Sequence, residues 1–171
     1  MDNYIVINGK KAELTEEQLR QLGINVNVKK ETPFARHSEG LYWYIDATNV
    51  VTSQYECNDD FANDFANDVY DNVNHFNNYK FAEQVALHQL LYRKLLKYAY
   101  ENDAEDCEWD WKNCKRHYYI LFDYSESCFT ISCTIMLKNQ GVVYFSKEEV
   151  ARQAIEDVIK PFMKKQPKFV W

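Results

Sequence analysis

The chain has 171 residues, 46% hydrophobic and 27% charged, which suits a packed core and excludes global disorder. Four Gly and three Pro argue against long flexible linkers, and no apolar run reaches the ~20 residues of a membrane-spanning helix. The net charge is −6, yet residues 56–71 and 101–110 each hold six acids and no base, so the remainder is positive. Such clusters repel nucleic acid and attract basic protein surfaces.

Tyr4–Leu14 reads as a hairpin, because Asn8-Gly9 tolerates the positive φ values of a type I′ turn. Thr15-Glu16-Glu17-Gln18 fits a capping box, Leu19 and Leu22 give a small apolar face, and Gly23 is a natural stop. This module, residues 1–24, is too small to bury a core alone and is expected to dock on the rest of the chain or on a second copy. Residues 25–40 read as a connector held extended near Pro33.

Strands are expected over Leu41–Asp46 and Val50–Gln54, with a turn at Ala47–Asn49. The first acidic block follows. A short strand, Val73–Phe76, leads to a helix from about Tyr79 to Tyr100. After the second acidic block come strands His117–Asp123 and Cys128–Ile135, turning over Tyr124–Ser127. A third strand, Gly141–Phe145, precedes a helix from Lys147 to about Lys160, where Pro161 should end or kink it.

These two stretches match. With Phe76 set on Phe145, Val73 falls on Val142 and His75 on Tyr144. Asn77 falls on Ser146, both good N-caps, and Ser146 with Glu149 makes a second capping box. The fold class is therefore α+β: two β-hairpin–strand–helix halves, 41–100 and 117–165 within residues 25–171, plus the N-terminal module. Apolar residues wrap most of the circumference of the first helix, which implies burial on nearly all sides, between the halves and against a second subunit.

Chemistry-bearing motifs are sparse. Four glycines cannot build a phosphate-binding loop, and no G-x-S-x-G is present. The five cysteines are odd in number with no C-x-x-C, so reduced thiols are expected, with Cys128 and Cys133 buried in a strand. Cys107, Cys114 and His117 match no standard zinc spacing. No catalytic, cofactor-binding or metal-binding residue is assigned.

Residues 61–68 repeat Phe-Ala-Asn-Asp. In a helix, Asp60, Asp64 and Asp68 share one face, with carboxylates ~5.4 Å apart along the axis, near the spacing of phosphates along a strand. Three readings stand: a solvated face, a DNA mimic aimed at a basic groove, and a divalent-metal site without a calcium-loop pattern. Trp109-Asp110-Trp111 reads either as an aromatic hot-spot loop or as a loop anchored by one buried Trp. The candidate partner-binding set is Glu56, Asp59, Asp60, Asp64, Asp68, Asp71, Glu105, Asp106, Glu108, Trp109, Asp110 and Trp111.

The segments Tyr4–Gly23, Gln84–Lys97 and Asn139–Glu149 resemble small uncharacterised phage and prophage proteins of gut Firmicutes. These segments describe structure and carry no assigned activity. The resemblance implies a setting in the cytoplasm of a bacterial host. By analogy with small acidic phage proteins, it implies an inhibitor of host defence of the anti-CRISPR kind. The expected partner is a host protein with a basic surface, such as a nucleic-acid-binding nuclease, and the expected state is a homodimer. Direct nucleic-acid binding, a membrane and cofactors are not expected. Two alternatives stay open, a self-assembling structural protein and an enzyme with no recognisable motif.

Overall fold

The computed structural model describes residues 4–7, 10–22, 32–36, 40–56, 60–102, 111 and 115–171. The chain forms two units, Met1–Thr32 and Pro33–Trp171. In the first, β1 (Tyr4–Ile7) pairs antiparallel with β2 (Lys10–Glu13), and α1 (Glu16–Gln21) follows. The expected capping box forms: Gln18 N donates to Thr15 Oγ1 at 3.3 Å, and Thr15 N donates to Gln18 Oε1 at 2.9 Å. Asn8, Gly9 and Gly23 lie outside the described residues.

The second unit is built on two antiparallel hairpins. β3 (Gly40–Ile45) pairs with β4 (Val51–Glu56), and β5 (His117–Asp123) pairs with β6 (Cys128–Thr134). β-Branched and aromatic residues fill these strands, as a half-buried pleated surface requires. Each turn rests on an aspartate at the end of its first strand. Asp46 Oδ1 accepts from Thr48 N, Thr48 Oγ1 and Val50 N, and Asp123 Oδ1 accepts from Ser125 N, Ser125 Oγ and Glu126 N. Each turn closes through a left-handed residue, Asn49 (φ 67°) or Ser127 (φ 51°).

The expected third strands are corrected to single bridges. Phe76 exchanges both backbone hydrogen bonds with Trp43 at 2.8 Å, and Phe145 does the same with Tyr118 at 2.8 Å. No strand runs through Val73, whose φ is 56°. Instead the Asn74 side-chain amide pairs with the Ile45 backbone, accepting from its N–H at 2.9 Å and donating to its carbonyl at 2.8 Å. A side chain thus continues the ladder where the backbone turns away.

Between the first hairpin and its bridge lies α2 (Asp60–Asp71), a full helix rather than an open block. Then α3 (Tyr79–Asn102) starts where expected, but its cap is one residue later than expected: Phe81 N donates to Asn78 Oδ1 at 3.0 Å, so Asn78 fills the capping role expected of Asn77. The last helix is α4 (Glu148–Ala154), a π-helical turn (Ile155–Ile159) and α5 (Lys160–Lys165). Its N-cap is Lys147, with no side-chain capping bond, in place of the expected Ser146–Glu149 box. Pro161 does not end the helix. Lys160 N donates to Ile155 O across the wide turn, and Pro161 sits in the first turn of α5, where its missing N–H and its ring are tolerated.

Helix α3 serves both halves. Ala82 and Ala86 pack with Ile45 and Phe76, while Leu91, Leu95 and Ala99 pack with Val143, Phe145, Ala151, Ile155 and Ile159. It lies between the halves, as expected, but is not covered all round, since Tyr92 and Tyr100 are exposed. A C-terminal strap follows α5. Gln84 on α3 holds its backbone, donating to Lys168 O at 2.8 Å and accepting from Val170 N at 3.0 Å. Lys168 pairs with Glu83 at 3.1 Å, Phe169 is buried, and Trp171 packs on Phe129.

Candidate protein-binding surface

Helix α2 orients the first acidic block. Ala66 and Val69 bury one face against Tyr42 of β3, and Phe65 meets Tyr44 edge-on at 5.3 Å. That docking fixes the opposite face toward solvent. Asp64, Asp68 and Asp71 fall on it at helical spacing, and all three are exposed. None makes an ion pair with a described residue. On the flank of the helix, Arg36 donates to Asn67 at 2.7 Å and lies 5.4 Å from the Tyr70 ring centroid.

Glu56 closes β4 and Asp60 opens α2. Asp59 and the second-block residues Glu105, Asp106, Glu108, Trp109 and Asp110 lie outside the described residues. Trp111 is half-buried and packs inward, stacked on His117 with ring centroids 3.9 Å apart. Buried Nε1 of Trp111 and Nε2 of His117 find no partner among the described residues. Burial, with help from the charge of Lys115, holds the His117 pKa below the usual imidazole value.

Other perturbed groups have local structural causes. Asp46 is held below the usual carboxylate range, first by the Val50 N–H and then by the Thr48 hydroxyl. Asp123 is held low chiefly by the Ser125 hydroxyl. Both carboxylates fasten turns, a signal readable in their Asp-x-Ser/Thr spacing but missed from sequence. Tyr98 is raised by burial and by its 3.0 Å hydrogen bond to Asp157. No group of three or more metal-ligating side chains occurs among the described residues. Cys128 and Cys133 are both exposed, which corrects the expectation of buried thiols: five residues apart, they sit on opposite faces of β6, at its first and next-to-last positions.

Among the grooves along α3, two are walled by the hairpins. One, of about 790 Å³, is floored by Ile45, Phe76, Val85 and Leu90 and rimmed by Asp46, Asn49, Gln89 and Arg93. The other, of about 300 Å³, is lined by Leu91, Leu95, Ile120, Val143, Phe145 and Trp171. No described helix is long and apolar enough to cross a membrane. Comparison with protein-family models, with curated proteins and with solved structures found no match.

Proposed function

We propose that this chain is a non-enzymatic binding protein that engages a basic protein surface through the solvent face of α2. One observation carries the reading: Asp64, Asp68 and Asp71 project together from a helix locked in place by its other face. Like charges at this spacing disfavour the helix by a few tenths of a kcal/mol per pair. Retaining them on an ordered surface is what a complementary basic partner would use.

The narrower proposal is a phage-encoded inhibitor of a host defence protein, with the carboxylates standing in for phosphates before an RNA-guided nuclease of the CRISPR type. The phage resemblance and the acid spacing support it. The test is affinity capture from bacterial lysate, followed by direct binding of the captured partner at low salt. Reversing Asp64, Asp68 and Asp71 to Lys together should remove binding. Unchanged binding by the triple variant at low salt, where screening is weak, sinks the proposal.

A second reading, self-association, is favoured by the run Ile135-Met136-Leu137. All three are exposed, the last two by 73% and 74%, beyond the end of the uncharged strand β6. It requires a concentration-dependent dimer in sedimentation.

A further inference from the structure

The two grooves between α3 and the hairpins are the same place in the two halves. Matching the bridges Trp43–Phe76 and Tyr118–Phe145 sets Ile45 on Ile120, Val73 on Val142 and Asn74 on Val143. Each groove is walled by those equivalent positions and by a flank of α3, Val85, Gln89, Leu90 and Arg93 for the first, His88, Leu91, Tyr92 and Leu95 for the second. In the second half the chain fills the site itself. Its C-terminal strap lies against α3, Trp171 walls the groove, and about 300 Å³ remains. In the first half no described segment does so, and about 790 Å³ stays open.

We infer that the first-half groove receives an extended segment of a partner protein that carries an aromatic anchor beside an acidic residue. The handles on α3 define this occupant. The strap is gripped by a charge, Glu83, paired with Lys168, by an amide, Gln84, bonded to its backbone, and by apolar packing of Phe169 and Trp171. The open groove offers the same kinds of handle. Gln89 is exposed and makes no hydrogen bond among the described residues. Phe34, Phe76, Val85 and Leu90 form an apolar floor, with Phe34 itself 37% exposed. The charge differs from the glutamate that holds the strap: Arg93 stands on the rim, its guanidinium steadied by Asn49, whose own amide is anchored to Ala86 O at 2.9 Å, while Asp46 on the same rim is engaged by the Thr48 and Val50 donors of its own turn. Reversed charge selects an acid where the strap has a lysine. The wall also holds Val73, a β-branched residue with φ of 56° and 65% exposed. Strain of this kind persists at ligand clamps more than elsewhere.

The inference does not depend on the acidic face of α2. The probe is the chain's own last six residues with lysine changed to glutamate, the peptide QPEFVW, compared with QPKFVW, both capped and followed by amide chemical shifts and fluorescence anisotropy of labelled peptide. QPEFVW should shift Asn49, Gln89, Arg93 and Val73 and bind at least five-fold tighter than QPKFVW. Arg93→Glu should invert that order. Gln89→Trp, an exposed helix position whose effect on folding is read separately by circular dichroism, should block both peptides. Reversing Asp64, Asp68 and Asp71 should leave peptide binding intact, which separates this result from failure of the α2 proposal. Four outcomes overturn the inference. They are shifts confined to His88 and Tyr92, an unchanged peptide preference in Arg93→Glu, free indole binding as tightly as QPEFVW, and a dimer of the protein alone that Gln89→Trp dissolves. The third makes the groove a small-molecule site, and the fourth makes it the seat of a second copy.

Discussion

Tyr42 and His117 occupy the same position in the two halves, one residue before the strand residue that bridges to a phenylalanine. Across each sheet stands the other ring type. Tyr42 stacks on His75 with centroids 4.4 Å apart, and His117 meets Tyr144 edge-on at 6.4 Å. The Tyr–His pair is exchanged between the strand and the bridging segment, with both histidines buried. The two halves therefore solve one packing problem with one pair of residues in opposite order.

The first prediction concerns acid. His117 has a folded-state pKa below its unfolded value of about 6.5, so its contribution to stability is fully present above that pH. It is lost as pH falls, because the unfolded chain takes up the proton first. Thermal melts should therefore show a steeper loss between about pH 7 and pH 5 in the natural chain than in His117→Phe, which keeps an aromatic ring against Trp111. Equal slopes would mean that His117 is hydrated in the folded state.

Phe76 and Phe145 are both 2% exposed and make equivalent bridges. Truncating either to Ala should cost about 3–5 kcal/mol in denaturant unfolding. Equivalence of the halves predicts comparable losses. A loss below about 1 kcal/mol at one site would show that its core collapses around the cavity.

Asp71 ends α2, whose last turn carries no base. A carboxylate there faces the negative end of the helix dipole. Asp71→Lys should raise stability by about 0.3–1 kcal/mol while weakening capture of the basic partner. A gain in stability with no loss of capture would remove Asp71 from the binding face.

Gln84 makes two hydrogen bonds to the strap. Gln84→Ala should cost about 1–3 kcal/mol and speed hydrogen exchange at Val170, with little change at Leu91. Slow exchange at Val170 in that variant would show that Phe169 and Trp171 hold the strap unaided.

The elements most legible in the sequence were those whose signal is local. Both hairpins of the second unit, the Thr15–Gln18 capping box and the long helix lie within a few residues of expectation. The misses lie where a side chain or an irregular turn, rather than the local residue pattern, decided the backbone. Val73–Phe76 reads as a strand, but the Asn74 amide pairs with Ile45 and leaves Val73 left-handed. Pro161 reads as a stop, but the wide turn before it absorbs the missing donor. Repeated Asp at α2 was legible as a face, whereas its orientation depends on Ala66 and Val69 finding Tyr42, a contact between residues far apart in the chain. The open groove had no sequence signal, because it exists only where the two halves meet α3 unequally.

Helix α3, 24 residues and so about 36 Å long, is a single rod driven through two separate cores. Neither core can melt without stripping apolar cover from the same rod. Residues 33–171 should consequently give one calorimetric transition with matching van't Hoff and calorimetric enthalpies, despite their doubled plan. By the same token, an anchor wedged against Val85 and Leu90 presses on a shaft whose other flank carries the strap.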